Sequence, residues 1–330
     1  MSIRLLAFTD RGFALAERLA EGLSGEAARC GAPLSLAEWT ADAFSSADAL
    51  IFVGAAGIAV RAIAPHVKSK AADPAVVVVD EGGKFAVPVL SGHLGGANDL
   101  ARRIAALTGA VPVITTATDV NGVFAVDEWA KRQGCAVLNP GRIKVISSAV
   151  LAGRTVRIES SWPVAGTPPR GVVLTDSEGD ARLSLDGQGE DALQLVPRIA
   201  VLGVGCRKDI QPEALEQMLA RLLQSCGVCE RAITGVASID LKAKEPGLLQ
   251  FCQHHGWQLT TFSAEELKRV SGEFSASSFV KSVTGVDNVC ERSAVLASGG
   301  KLIQTKLAGN GVTMALAVGP FAPDWRWQDE

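Results

Sequence analysis

AVVVVDEGGKFAVPVLSGHLGGANDLARRIAALTG, from Ala75 to Gly109, sets the architecture of the chain. Val76–Val79 is a continuous β-branched run, and Phe85–Leu90 is a second strand-sized apolar segment. Leu94, Ala97, Leu100, Ala101, Ile104 and Leu107 then recur at helical spacing, and Gly109 closes the helix. Continuous Val/Ile runs alternating with helices favour a parallel sheet covered on both faces. Between strand and helix lies SGHLGGAND, where His93 sits among three glycines although the chain has only four histidines.

The same alternation extends outward. Ile3–Phe8 reads as a strand and Phe13–Cys30 as a helix. Ala49–Val53 is a strand entering GAAG, and Ile58–Ile63 begins a helix. Val111–Ile114 is a strand, and Phe124–Arg132 a helix. After about Gly153 the composition turns to Pro, Ser and Gly, with short strands expected at Thr155–Glu159, Val172–Thr175 and Arg182–Leu185. A second α/β unit starts at Arg198. It has strands at Ile199–Val204, Thr234–Ile239 and Trp257–Phe262, helices at Pro212–Leu223 and Pro246–His255, and a final hairpin of Lys301–Lys306 with Val312–Val318. The expected fold is therefore α/β. Two α/β domains with mainly parallel sheets, residues 1–139 and 198–330, are joined by a small middle module at 140–197.

The 330 residues are 48% hydrophobic and 20% charged, the balance of a globular protein with a sizeable core. No apolar run approaches the ~20 residues of a membrane span. MSIRLLAFTD meets Asp10 too early for a secretory leader, so a cytoplasmic location is expected. Seven scattered cysteines fit reduced thiols. A net charge of −3 without basic runs argues against a nucleic-acid partner, though not against a small anion.

Glycines at a strand–helix junction let a ligand approach the backbone, and free N–H groups at a helix start favour anions. His93 can exchange protons near neutrality, with Ser91 two residues away and Asn98 at the helix start. The alternative is a tight turn whose His and Asn side chains cap the helix. GAAG offers Gly54 and Gly57, with Arg61 as an anion contact, but matches neither the dinucleotide fingerprint nor the P-loop. TTATD places Thr116, Thr118 and Asp119 after another strand. In the expected parallel sheet these three loops share one edge, where ligands bind. GVGCRKD contributes Gly205, Arg207 and Lys208, and later segments add Lys242 and Glu291. Each of these also has a plain reading as a turn, a cap or a solvated surface. Cys226-Gly-Val-Cys229 lacks a second pair, and His254-His255 has the wrong spacing to complete a zinc ribbon, so no metal site is expected.

In order along the chain, GAAGIAVRAIAP, DPAVVVVDEGGKFAVPVLSGHLGGANDLA and PVITTATD resemble the N-terminal region of the CbiG family of cobalamin biosynthesis. LGVGCRK, SIDLKAKEPGL, TFSAEEL and FVKSVTGVDNVCERSA resemble its C-terminal domain, which is similar to the stand-alone protein CobE. The resemblance implies a cobalt-precorrin-5A hydrolase of the anaerobic route to vitamin B12. Such an enzyme opens the ring A δ-lactone and releases the C20 unit as acetaldehyde, giving cobalt-precorrin-5B. It implies an anionic tetrapyrrole as substrate and transient contacts with neighbouring enzymes of that pathway. The cobalt arrives inside the substrate, so no cofactor of the protein's own is expected.

For that chemistry, His93 is the expected general base, with Asp119 or Asp99 orienting it. Backbone N–H groups near Gly95 and Gly96 would face the oxyanion. Ser91 is the alternative covalent nucleophile, which an already activated ester does not require. Arg61, Arg207 and Lys208 are expected to clamp substrate carboxylates, in a cleft between the two terminal units. The rival readings are a non-catalytic tetrapyrrole carrier and an unrelated nucleotide-binding enzyme, which would lack both phosphate fingerprints.

Overall fold

The structure, a computed structural model, describes residues 1–69 and 72–327. The last three residues of the expected C-terminal unit lie outside them. The chain forms two compact units, residues 1–128 with 150–152, and residues 129–149 with 153–330. No helix of the described residues is long and apolar enough to cross a membrane.

The first unit is built on a six-stranded sheet of β1 (Ile3–Ala7), β2 (Glu26–Arg29), β3 (Ala49–Val53), β4 (Ala75–Val79), β5 (Phe85–Leu90) and β6 (Val111–Pro112), ordered β2-β1-β3-β4-β5-β6. Every residue of β3 and β4 is buried, as their unbroken apolar sequences require when helices cover both faces. One face packs Leu15, Leu19, Leu100 and Ile104 from helices Asp10–Leu23 and Ala97–Thr108. The other packs Trp39 and Ile63 from helices Leu36–Ser46 and Ala56–Ile63.

Two expectations change here. The helix expected over Phe13–Cys30 stops at Leu23, and β2 follows. Ser24 turns left-handed at φ 56°, and at Gly25 a Cβ would lie 2.8 Å from the Ile3 carbonyl oxygen. The second change concerns direction. β1 to β4 run parallel, but β4 pairs antiparallel with β5, and β6 runs parallel to β5. The tight turn Asp80–Lys84 causes this: Asp80 accepts from the backbone N–H groups of Gly82, Lys84 and Phe85 and folds a hairpin. The three glycine-containing loops therefore do not share an edge. SGHLGGAND and TTATD lie at one end of the sheet. GAAG, with Gly54, Gly57 and Arg61, lies at the other.

The second unit holds two five-stranded sheets. In the first, β7 (Cys135–Val137), β8 (Val156–Ser160), β9 (Val172–Thr175), β10 (Ala181–Leu183) and β11 (Leu193–Pro197) are ordered β7-β11-β10-β8-β9, with only β7 antiparallel. The middle region is thus an ordered sheet, and its Val196, Leu138 and Leu185 join the core of the sheet that follows. That sheet comprises β12 (Ala200–Cys206), β13 (Ile233–Ile239), β14 (Gln258–Phe262), β15 (Lys301–Gly309) and β16 (Val312–Val318), ordered β14-β13-β12-β16-β15. β12, β13 and β14 are parallel, while β15 and β16 form the expected final hairpin. The fold is α/β with three mainly parallel sheets.

Candidate functional site

The turn after β5 is wound tightly around Ser91, which itself adopts φ 55°. A Cβ on Gly95 would collide with the Ser91 side chain, and one on Gly92 would lie 2.9 Å from Asn98 Oδ1. Gly96 caps the following helix at φ 88°. These glycines exist to fold the turn. Its N–H groups are also spent within it: Gly96 donates to the His93 carbonyl (3.0 Å), Ala97 to Ser91 (3.1 Å) and Asn98 to Gly92 (3.0 Å). The Gly96 amide is therefore not an oxyanion donor. The buried Ser91 hydroxyl donates to the Asp73 carbonyl at 3.0 Å and so ties the turn to the start of β4. His93 faces elsewhere, so Ser91 lacks the adjacent base that an activated nucleophile requires.

The turn projects His93 into a cage of carboxylates. Its Nε2 lies 2.8 Å from Asp119 Oδ2 and 3.5 Å from Glu128 Oε1, and its Nδ1 lies 3.2 Å from both Asp127 oxygens. Asp119 comes from the short helix Ala117–Val120 after β6, at the same sheet end. Asp127 and Glu128 come from the first turn of helix Val126–Arg132. Asn98 Nδ2 donates to Thr116 Oγ1 (3.0 Å) and Asp119 Oδ2 (3.2 Å), and Arg102 donates to Asp119 Oδ1 (2.6 Å) and Asp99 Oδ1 (3.1 Å). Thus Asp119 meets the imidazole, while Asp99 accepts from Arg102. Thr118 lies buried nearby in sequence, its Oγ1 without a hydrogen-bond partner among the described residues.

The cage is largely but not fully buried, with His93 9% exposed and its three carboxylate neighbours no more so. Burial opposes charge on His93, but the hydrogen bond and charge of Asp127, the hydrogen bond of Asp119 and the charge of Glu128 together outweigh it. The imidazole is pushed up to about 9. With both ring nitrogens facing carboxylates, the geometry favours the doubly protonated ring, which suits an acid where a base was expected. Burial pushes the Glu128 carboxyl up to about 7; His93 pulls it down, while Asp119 and Asp99 push it further up. Glu128 Oε2 is buried without a hydrogen-bond partner among the described residues. A buried carboxylate of raised basicity beside an imidazole held by two carboxylates has the makings of an acid–base pair.

His93, Asp119 and Glu128 also bring three ligand-type atoms within 4.8 Å of one another. The guanidinium of Arg102 is already bonded to Asp119, so a dication there would face a fixed positive charge. Protons are the better occupants of this cage.

Asp127, Glu128 and Arg102 were not singled out by sequence. The available signal was Phe-Ala-Val-Asp-Glu-Trp-Ala, two adjacent acids inside an apolar run where burial forces a partner.

The remaining candidates separate. Gly54 accommodates the Phe8 ring, 2.7 Å from where its Cβ would stand, and exposed Arg61 reaches back to the Gly57 carbonyl (3.4 Å). A cavity of ≈ 450 Å³ opens at that opposite sheet end, lined by Arg11, Arg18, Glu81, Gly82 and Thr108. In the second unit, Arg207 and Lys208 are exposed after β12, at the carboxyl ends of the parallel strands. Gly205 gives room to Thr313, whose Oγ1 donates to its carbonyl (3.2 Å). Lys242 is paired with Glu245 (2.8 Å), which also accepts from the Ile210 N–H. Glu291 is wholly buried and saturated, so it is no substrate contact.

Three family models match in chain order. They are cobalamin synthesis G N-terminal at 38–119, cobalamin biosynthesis central region at 124–196, and cobalamin synthesis G C-terminus at 200–317. A cobalt-precorrin-5A hydrolase of Salmonella typhimurium is 36% identical, covering 96% of this chain and 97% of its own. A second, of Priestia megaterium, is 31% identical over 84% of this chain and 80% of its own. Protein CobE of Sinorhizobium sp. is 32% identical over 36% of this chain and 78% of its own. Agreement at this level along nearly the whole length leaves one assignment: the chain belongs to the cobalt-precorrin-5A hydrolase family, CbiG.

Proposed function

We propose that this chain hydrolyses cobalt-precorrin-5A, opening the ring A δ-lactone and releasing acetaldehyde, with the His93 cage as its proton-handling centre. The observation that carries the site assignment is the unbonded, buried Glu128 oxygen beside the doubly hydrogen-bonded His93. In the first step Glu128 takes a proton from water, and the hydroxide oxygen bonds to the lactone carbonyl carbon. The ring C–O bond breaks, and His93 supplies the proton to the leaving alkoxide. In the second step the freed alcohol loses its proton to a base. Its oxygen becomes the carbonyl of acetaldehyde, and the electrons of the broken C–C bond pass to the macrocycle, where a proton replaces the lost carbon. Glu128 and His93 can exchange the two protons and return to their starting states. Asp127 and Asp119 hold the ring, and Arg102 holds Asp119 in place.

The cobalt belongs to the substrate, and in this reading the protein brings no metal to the reaction. Arg207 and Lys208 are suited to the substrate's carboxylates, as are Arg11 and Arg18 at the cavity. The test is acetaldehyde release from cobalt-precorrin-5A by the purified full-length chain. Wild type releases it, and His93→Gln releases about 10²-fold less or slower still. Substrate binding with a spectral shift but no acetaldehyde would make the chain a carrier.

A further inference from the structure

We propose that Glu216, His254 and His255 form a surface site for a divalent late first-row transition ion on the second unit. Glu216 lies on helix Pro212–Cys226, and the two histidines end helix Pro246–His255. Consecutive helical side chains diverge by about 100°, yet both rings meet one carboxylate. His254 uses Nδ1, 3.0 Å from Glu216 Oε1, and His255 uses Nε2, 3.0 Å from Glu216 Oε2. One ligand-type atom from each residue lies within 4.8 Å of the others.

Two imidazoles and a carboxylate suit Zn²⁺, Co²⁺, Ni²⁺ or Cu²⁺, and not the all-oxygen preference of Mg²⁺ or Ca²⁺. The surroundings of His255 point the same way. Its other nitrogen, Nδ1, lies 2.9 Å from Glu230 Oε1. A carboxylate on the far nitrogen is the arrangement that orients metal-binding histidines, and it turns Nε2 towards Glu216, the carboxylate that would share the ion. The ring is also held flat on Trp257, with centroids 4.2 Å apart and planes 9° apart, and edge-on to Phe251 at 4.8 Å. His255 is thus pre-positioned, whereas His254, 73% exposed, leaves the remaining coordination positions to water. Cys226 is a weak competitor, because burial pushes its thiol up. A pair of surface His–Glu ion pairs would use the same atoms but needs protonated rings, and the two accounts part on metal addition.

The test is titration of the full chain with Co²⁺, read by its visible d–d absorption, with Zn²⁺ as competitor. The expected result is one Co²⁺ per chain, displaced by Zn²⁺. It is retained in Cys226→Ser and lost in the double variant His254→Ala/His255→Ala, whose circular dichroism stays that of wild type. Glu230→Gln keeps the stoichiometry and weakens affinity by about 10-fold or more, an orienting effect that a simple ion pair would not give. Unchanged binding in the double variant, thiolate charge-transfer bands, or no Co²⁺ bound by wild type at saturating excess would each overturn the proposal.

Discussion

Two buried glutamates, one in each unit, live in opposite surroundings. Glu291 accepts from the Ser275 N–H (2.7 Å) and hydroxyl (2.9 Å), from Asn288 Nδ2 (2.7 Å) and from the Lys306 N–H (2.7 Å). Its charge is fully shared, and it binds the segment at Ser275 and strand β15 to its own helix. Glu128 has one oxygen 3.5 Å from His93 Nε2 and another with no partner among the described residues. Burial of both thus yields a structural knot in one case and, in the proposed mechanism, a reactive group in the other. What differs is the supply of donors: Glu291 meets four, while Glu128, starved of them, gains proton affinity. Burial alone does not mark a functional carboxylate, whereas burial without donors does.

The largest expected effect tests the reactive side. Glu128→Gln should lower acetaldehyde release by about 10²- to 10⁴-fold, while thermal stability holds or rises because a poorly solvated charge is gone. A rate near wild type would put the base elsewhere. The mirror test is Glu291→Ala, which orphans several buried donors at about 1–3 kcal/mol each. Urea unfolding should show a loss of about 3 kcal/mol or more. If Glu291→Ala unfolds like wild type, donor supply is not what distinguishes the two glutamates.

The pH response sharpens the comparison. Glu128, raised to about 7, must be ionised to act as base, and His93, raised to about 9, must be protonated to act as acid. The rate should be bell-shaped, with limbs near those two values. The signs for stability agree. His93's contribution is fully present below its unfolded value of about 6.5 and is lost as pH rises through about 9. Glu128's contribution is present below about 4.5 and lost as pH rises through about 7. Alkaline titration should therefore weaken the first unit, by on the order of 3 kcal/mol for the His93 shift. His93→Gln should remove the upper part of that loss.

Much of this architecture was legible in the sequence, because burial on both faces writes continuous apolar strands. β3, β4 and β16 needed no further information. Strand direction was less visible. Phe85–Leu90 reads the same whether it runs with or against β4, and the deciding turn depends on how Asp80 folds back on Gly82 to Phe85. That single reversal moved Gly54, Gly57 and Arg61 away from His93 and left Asp119 beside it. The cage was half legible: His93 and Asp119 stood out as rare or polar loop residues. Asp127 and Glu128 lay in a helix whose apolar neighbours concealed them, and Glu291, chosen for its charge, proved to be spent inside the fold.

The smallest effect concerns the hydroxyl in the opening turn. Ser91 differs from both glutamates in having one donor and one matched acceptor, the Asp73 carbonyl. Ser91→Ala removes a buried hydrogen bond and leaves that carbonyl with one fewer donor, at a cost of about 1 kcal/mol. The methyl group keeps the Cβ against Gly95, and the turn still needs φ 55° at this position. His93 should then hold its place among Asp119, Asp127 and Glu128, and acetaldehyde release should stay within about threefold of wild type. A covalent nucleophile would instead cost at least the ~10²-fold expected for losing a reacting group. A drop of that size, with no acyl-enzyme trapped in wild type, would mean that the Ser91–Asp73 tie positions the cage itself. An acyl-enzyme found on Ser91 would move the chemistry from water activated by Glu128 to the serine.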